Sequence, residues 1–196
     1  MGKAILHMRR RYGYLRSVLN SDHHRLRAME PEDVSQLHAW ENASEDWWMG
    51  ASVSPISVEA MRRFANGNHD LYQDRQLRLI LDALEENQAD WLTVGAVDLY
   101  DFEPRHLRAG VALHVDRDAR RRGHGLQGLL LLSAYAQRHL GLRQLYAEVP
   151  ASHHASIALF RKAGYLETGR RSSWIRGAQD GWEDVVTLQL LFTHRD

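Results

Sequence analysis

The chain contains no cysteine and no long apolar segment. The absence of cysteine excludes disulfides, thiolate metal ligands and a cysteine acyl-enzyme. The longest apolar stretch, residues 129–136, is interrupted by Ser133 and is much shorter than the roughly 20 residues that a membrane-spanning helix needs. Arg9, Arg10 and Arg11 are not followed by an apolar run, so the sequence indicates no secretory signal. We therefore expect a cytoplasmic protein without a membrane partner.

The chain also lacks net charge, because 25 Lys and Arg residues balance 25 Asp and Glu residues. A neutral chain gives no electrostatic reason to expect a nucleic-acid partner. Histidine is abundant, with 12 residues, but none lies at a firm metal-ligand spacing. His23 is adjacent to His24, and His153 is adjacent to His154. Adjacent side chains rarely bind the same metal ion. No metal site is predicted.

The length of 196 residues suits one domain with a complete core. Residues 1–22 are basic and form an N-terminal extension to which the sequence assigns no role. Residues 23–196 then form a single domain.

Hydrophobic periodicity predicts a mixture of strands and helices. The predicted strands are residues 25–29, 76–84, 91–100, 109–115, 144–149 and 185–192, and the predicted helices begin at Pro31, Ser57, His124 and Ser156. Three consecutive strands joined by short turns imply antiparallel pairing, whereas the later strand–helix–strand unit implies a parallel pair. We expect an α/β (α+β) fold with a mixed sheet and helices on its faces.

The segment between strand 109–115 and the long helix has the sequence Arg120-Arg121-Arg122-Gly123-His124-Gly125-Leu126. Small glycines let consecutive backbone amides surround an anion, and the start of a helix adds positive partial charge. This arrangement favours a pyrophosphate, although a solvated basic turn remains open from the loop alone. Residues 123–128 also match the dinucleotide-binding pattern G-x-G-x-x-G. That match is disfavoured because residues 116–122 separate the strand from the first glycine.

Two segments match motifs of one family at the proper separation. Residues 120–125 match the pattern R/Q-x-x-G-x-G/A, and residues 156–165 match (A/S)-I-x-L-Y-x-K-x-G-F. Together they resemble the GNAT superfamily of acyl-CoA-dependent N-acetyltransferases. Residues 180–184 resemble the polar segment before the last strand in the branch that contains ribosomal-protein and polyamine acetyltransferases. The resemblance implies a mostly antiparallel central sheet with helices on both faces and splayed fourth and fifth strands.

The resemblance implies acetyl-CoA (coenzyme A) as the cofactor, with its pantetheine arm between the splayed strands. Main-chain groups of residues 113–115 would bind the pantetheine, and the amides of residues 121–126 would bind the pyrophosphate. The cofactor-binding residues expected on this basis are Leu113, His114, Val115, Arg120, Arg121, Arg122, Gly123, His124, Gly125, Leu126, His153, Ser156, Phe160 and Lys162.

The chain departs from the family pattern at three positions. His153 replaces a common asparagine and can still donate a hydrogen bond. Phe160 replaces the tyrosine usually proposed to protonate the leaving thiolate, which leaves the general acid unassigned. Gly110 stands where the fourth strand often carries a glutamate.

The simplest mechanism without cysteine is direct attack of an amine on the thioester in a ternary complex. His114 is a candidate general base, because it alternates with Gly110 and Ala112 in the strand expected beside the thioester and has a suitable ordinary pKa. A purely packing role for this histidine stays open. Tyr146 and Glu148, on one face of the next strand, are further catalytic candidates.

The acceptor site is expected around the first helix and the segment after it. Carboxylates beside tryptophans could hold a cationic amine through electrostatic attraction and through contact with the face of an aromatic ring. The predicted residues are Glu41, Glu45, Asp46, Trp47 and Trp48. Solvent-facing carboxylates and tryptophans that only fill a core remain the alternative.

The sequence therefore predicts an N-acetyltransferase that acts on a primary amine, either a small amine or polyamine or a protein N-terminus. The alternative is a catalytically weak CoA-binding sensor or interaction module, for which Phe160 and Gly110 argue. A homodimer is an expectation at the level of the family.

Overall fold

Seven strands form one mixed sheet in the computed structural model, which describes residues 18–43, 54–67, 69–85, 89–177 and 181–193. The strands are β1 (His24–Ala28), β2 (Leu77–Ala83), β3 (Leu92–Glu103), β4 (Arg108–Val115), β5 (Gln144–Pro150), β6 (Leu166–Arg176) and β7 (Trp182–Leu191). Their spatial order is β1-β2-β3-β4-β5-β7-β6, and only the β4–β5 pair is parallel. The predicted mixed, mostly antiparallel sheet is confirmed.

Five α-helices accompany the sheet in the described part of the chain. They are α1 (Val34–Glu41), α2 (Val58–Ala65), α3 (Leu71–Asp74), α4 (His124–Arg138) and α5 (His154–Lys162). A 3-10 turn at Pro31–Asp33 precedes α1, and the Ser57 side chain caps α2 by accepting the backbone N–H of Ala60. These helix starts match the predicted ones because proline and serine are favoured at such positions. None of the described helices is long and apolar enough to cross a membrane.

Helices cover both faces of the sheet, as expected. Leu129 and Leu132 of α4 and Ile157 of α5 are buried in a large apolar cluster on one face. Leu37 of α1 and Met61 of α2 pack in a smaller cluster on the opposite face. The pairing of β4 with β5 lies near the middle of the sheet, between β3 and β7.

A buried ion-pair network fixes β1 and β2 relative to the start of α1. Asp82 is only 1% exposed, and its carboxylate accepts hydrogen bonds from Arg25, Arg27 and Thr93. The Arg27 guanidinium also binds Asp33 in a bidentate manner, with both N–O distances at 2.7 Å. Because a buried carboxylate is costly without such partners, this network holds the 3-10 turn and α1 in place.

The structure also contains elements that the sequence pattern did not predict. Helix α3 has four residues, and strand β6 lies at the sheet edge with almost every side chain exposed. An exposed edge strand needs no apolar alternation, so it leaves no periodic signal. Strand β7 also begins at Trp182 rather than at residue 185, and α5 begins two residues earlier than predicted. Most of the predicted N-terminal extension lies outside the described residues.

Candidate active site

Strands β4 and β5 separate after a short parallel stretch. Their register pairs are Arg108 with Gln144, Ala109 with Leu145 and Gly110 with Tyr146. Beyond Gly110 the described part of β4 continues to Val115 against β3 alone, and β5 continues to Pro150 against β7. The predicted splay of the fourth and fifth strands is confirmed. Ala112 is exposed in the middle of β4, so a cleft opens where the strands part.

The glycine-rich loop connects the end of β4 to the start of α4. Arg121 has φ 63° and Gly123 has φ 87°. The backbone therefore adopts the left-handed conformation at two positions before the helix begins. Within the described residues, Gln127 is the first residue of α4 whose amide reaches a backbone acceptor, the carbonyl of Gly123 at 3.2 Å. The amides that precede it form the open positive end of the helix dipole.

Gly125 is placed where a side chain would obstruct the loop. A Cβ atom at this position would lie 3.1 Å from Leu113 and 3.2 Å from Leu159. The absence of a side chain therefore lets the first turn of α4 approach β4 and α5 closely. The backbone amides of the loop and of the first turn of α4 suit the diphosphate group of a nucleotide.

The three loop arginines differ in their surroundings. Arg122 forms an ion pair with Glu85, whereas the Nε atom of Arg120 donates to the carbonyl of Val115 at 3.0 Å. All three side chains are exposed. A shallow polar depression of about 440 Å³ lies beside the loop, and the residues that line it include Glu85, Asp116 and Arg122.

His124 is buried at the start of α4, and only 6% of it is exposed. Its Nδ1 atom lies 2.9 Å from Nε2 of His24 on β1. Burial lowers the pKa of both imidazoles, and the Arg122 charge lowers that of His124 further, whereas Glu85 opposes the shift. The side chain of His124 therefore ties the start of α4 to strand β1 of the sheet.

Helix α5 carries the second matched motif. The Nδ1 atom of His153 caps this helix by accepting the Ser156 amide at 3.0 Å. A neutral His153 then holds its proton on Nε2, which can donate to a ligand. Phe160 is 3% exposed and packs edge-to-face against Tyr165, with ring centroids 5.0 Å apart. Lys162 is exposed at the end of the helix.

His114 on β4 lies against α1. Its ring centroid is 4.8 Å from that of Trp40, and the Trp40 Nε1 donates to Asp116 at 2.7 Å. Asp116 also accepts the amide of Asp118 at the start of the loop. Burial opposes ionisation of Asp116, but the hydrogen bonds from Trp40 and Asp118 and the neighbouring His114 outweigh it and lower its pKa. Trp40 therefore links helix α1 to the segment that connects β4 with the glycine-rich loop.

Tyr146 is the last residue of β5 that pairs with β4, and Glu148 follows it by two residues. The Tyr146 hydroxyl lies 3.3 Å from a carboxylate oxygen of Asp101, and Glu148 forms an ion pair with Arg171. Burial, helped by Asp101, raises the pKa of Tyr146 to about 12. The Tyr146 ring also meets the Tyr100 ring edge-on, with centroids 5.8 Å apart.

Of the predicted acceptor-site residues, Glu41 lies within the described chain. Its carboxylate binds Arg78 at 2.6 Å, and Arg78 also binds Asp98 at 2.8 Å. Asp98 stands opposite Ala112 in the β3–β4 register, so the group borders the cleft. The remaining predicted residues, Glu45, Asp46, Trp47 and Trp48, lie outside the described residues.

The family follows from a comparison of the sequence with family models. The model of the acetyltransferase (GNAT) domain matches residues 23–166. The chain belongs to the GNAT acetyltransferase family. It is therefore an acyltransferase of the kind that uses acetyl-CoA.

Solved structures of other acetyltransferases have a similar fold. Spermidine N-acetyltransferase from Vibrio cholerae, in complex with CoA and spermine, has a TM-score of 0.74 and 17% sequence identity over 87% of this chain and 96% of that chain. A dodecameric structure of spermidine N-acetyltransferase from Vibrio cholerae in an intermediate state has a TM-score of 0.69 at 17% identity, covering 87% and 95% of the two chains. A probable acetyltransferase has a TM-score of 0.70 at 19% identity, covering 87% and 94%. At these identities the similarity establishes the fold alone. No curated protein sequence matches the chain significantly.

Several residues of the acetyltransferase site had no signal in the sequence. Tyr100, Arg78 and Asp98 alternate with apolar residues in β3 and β2, as any outward-facing strand residues do. The bond of Trp40 to Asp116 depends on how helix α1 packs against the sheet. These contacts arise from sheet register, which short motifs do not encode.

Proposed function

We propose that this acetyltransferase transfers the acetyl group of acetyl-CoA to a primary amine by direct attack in a ternary complex. The observation that carries the proposal is the separation of β4 and β5 after Gly110 and Tyr146, next to a loop suited to a diphosphate. A donor anchored at the loop and running along β4 would have its thioester at the point where the strands part.

The dimensions of β4 support this placement. From Val115 to Gly110 the strand advances by five residues, or about 17 Å at the usual rise. This length is comparable with an extended pantetheine arm. The amides of residues 121–126 would hold the diphosphate, and main-chain groups of residues 113–115 would bind the arm. His153, Ser156 and Lys162 would contribute from α5, with Arg120, Arg121 and Arg122 near the nucleotide phosphates.

Charge beside the cleft supports a cationic acceptor. Glu41 and Asp98 both bind the guanidinium of Arg78, which brings two carboxylates to this side of the cleft. Their position opposite Ala112 would draw an ammonium group toward the thioester. This favours a small diamine or polyamine, and the fold is shared with an enzyme that acts on spermidine. Glu45, Asp46, Trp47 and Trp48 would extend the acceptor site.

The three catalytic candidates are not equally suited to act as a base. The raised pKa of Tyr146 keeps its phenol protonated near neutral pH, and Glu148 is engaged by Arg171. His114 lies on the same face of β4 as Ala112, and imidazole is the side chain most often used as a general base near neutral pH. We therefore assign to His114 the removal of the ammonium proton, directly or through water.

The test is an acetylation assay with acetyl-CoA and a panel of diamines, polyamines, neutral amines and peptides with free N-termini, read by mass spectrometry. The expected result is acetylated polyamine, with Asp98→Asn raising the KM for polyamines and leaving that for neutral amines unchanged. Preferred acetylation of peptides would redirect the proposal to protein N-termini.

A second candidate is a CoA-binding module with weak chemistry, and Phe160 and Gly110 favour it. Tight binding of acetyl-CoA in calorimetry without acetylation of any amine or peptide would support that module and refute the proposed transfer. A homodimer remains a separate proposal, which sedimentation velocity would test.

A further inference from the structure

Gly110 on β4 leaves a space that the ring of Tyr100 on β3 fills. The two residues are register partners, and a Cβ atom built on Gly110 would overlap the Tyr100 ring. The phenol therefore lies directly over the last residue of β4 that still pairs with β5. Any side chain at position 110 would displace it.

The hydroxyl end of Tyr100 extends across β4 to strand β5. The backbone of Glu148 on β5 forms a hydrogen bond with this hydroxyl, and the Tyr146 ring lies edge-on to the Tyr100 ring. Because Glu148 follows the last parallel pair by two residues, the phenol spans the two strands where they part. The proposed donor pathway along β4 ends at this point.

The phenol of Tyr100 holds its proton firmly. Burial raises its pKa far above the ordinary value, and the nearby Tyr146 and the carboxylates of Glu148 and Asp101 raise it further. A protonated hydroxyl beside the thioester sulfur is suited to donating rather than accepting a proton.

The other aromatic residues near the cleft are less suited to that role. Phe160 has no hydroxyl and is buried against Tyr165. The hydroxyl of Tyr146 is directed to the Asp101 carboxylate. Tyr146 is the β5 partner of Gly110, whereas the Tyr100 ring lies over Gly110 itself.

We propose that Tyr100, seated over Gly110, is the general acid that protonates the leaving CoA thiolate. This inference rests on the proposed acetyl transfer. In the reaction the amine nitrogen forms a bond to the thioester carbonyl carbon, and the carbon–sulfur bond breaks with its electron pair passing to sulfur. The Tyr100 proton goes to that sulfur, the proton of the attacking amine goes to the base, and the phenolate regains a proton from solvent.

Removing only the hydroxyl tests the role directly. For Tyr100→Phe we expect kcat to fall about 100-fold with acetyl-CoA, since general acids contribute at least about that factor. With an acetyl-pantetheine analogue whose leaving group is an acidic aryl thiol, the ratio of wild type to variant should shrink to a few-fold. A ratio that is the same for both donors would overturn the proposal.

A binding experiment gives a second readout without turnover. A hydrogen bond from Tyr100 would stabilise the thiolate of bound CoA, so the pKa of that thiol should rise in Tyr100→Phe, as followed by ultraviolet absorbance of the thiolate. Affinity for desulfo-CoA should not change. An unchanged thiol pKa would refute the contact.

Two further variants separate the hydroxyl from the fold. Gly110→Ala keeps Tyr100 but displaces its ring, so it should reproduce the kinetic signature of Tyr100→Phe. Tyr72→Phe alters an exposed tyrosine on α3 and serves as the matched control. Tyr100 is not the general acid if the fall in kcat that depends on the leaving group of the donor occurs in Tyr146→Phe and not in Tyr100→Phe. Absence of any acetyl transfer by the wild type would instead refute the proposed function, while the thiol-pKa measurement would still decide the Tyr100 contact.

Discussion

Nε2 of His24 and Nδ1 of His124 lie 2.9 Å apart, and this contact joins strand β1 to the first residue of helix α4. One proton is shared between the two nitrogens, so the contact requires that at least one imidazole be neutral. Glu85, Arg122 and His23 are the other charged or titratable groups that affect this pair. The pair therefore couples the phosphate loop to the sheet in a pH-dependent manner.

Stability should fall when the histidines become protonated. Their folded pKa values lie below the ordinary value of about 6.5, so the folded state binds fewer protons than the unfolded chain as pH drops through that region. The contribution of the two histidines to the free energy of unfolding is present above about pH 6.5 and is lost below it. We expect the Tm to decrease between about pH 7.5 and 5.5, and His124→Gln to reduce that decrease. His154→Gln, which changes an exposed histidine, should keep the wild-type pH profile, and identical profiles for all three proteins would contradict the assignment.

Replacing Gly123 should weaken CoA binding more than it affects the fold. A side chain in the left-handed conformation costs about 1–2 kcal/mol, so in Gly123→Ala the loop can relax away from the conformation that binds the diphosphate. The CoA Kd should rise about tenfold, as measured by calorimetry.

Gly141 provides the matched control for this change. It also has a positive φ, of 66°, and an added Cβ at either glycine meets no atom within 4 Å. Gly141→Ala should lower stability to a similar extent and leave the CoA Kd unchanged. Equal CoA affinities of the two variants would argue against the loop as the diphosphate site.

Removing Glu85 should strengthen CoA binding. Its carboxylate pairs with Arg122, an interaction that a phosphate must replace. Exposed ion pairs contribute up to about 1 kcal/mol, so Glu85→Gln should lower the CoA Kd by up to about fivefold at low salt, with less effect at high salt. Glu103→Gln breaks an analogous pair with Arg75 and should leave CoA binding as it is. Weaker CoA binding by Glu85→Gln would show that Arg122 does not meet the phosphates.

Trp40→Phe should destabilise the protein by removing the hydrogen bond to Asp116 while retaining a ring beside His114. Hydrogen bonds to charged groups contribute about 1.5–3 kcal/mol, so we expect a loss of this order in urea unfolding at neutral pH. Because the bond lowers the pKa of Asp116, the difference from wild type should shrink as pH falls below about 4. Trp182→Phe, at a tryptophan that is 64% exposed, should change stability little. A loss equal for both variants would exclude a specific role of the Trp40–Asp116 bond.

Sequence patterns located the elements that build the cofactor site. The helix that begins at His124 and the strand before it have strong periodicity, and the glycine loop lies between them in one continuous segment. The parallel pairing of β4 with β5 followed from the intervening helix, since such a crossover is the usual way to join parallel strands. Strand β6 was not predicted, because an exposed strand at the sheet edge needs no alternation of apolar and polar residues.

The sequence by itself determined the family and the order of most elements, because both depend on residues that are neighbours along the chain. The tertiary structure decided that Tyr100 fills the space over Gly110, that Glu41 and Asp98 share Arg78, and that His24 meets His124. Those contacts join residues far apart in sequence, and strand register and helix packing bring them together. A shift of one residue in β3 would turn Tyr100 to the opposite face of the sheet, although every local motif would be unchanged.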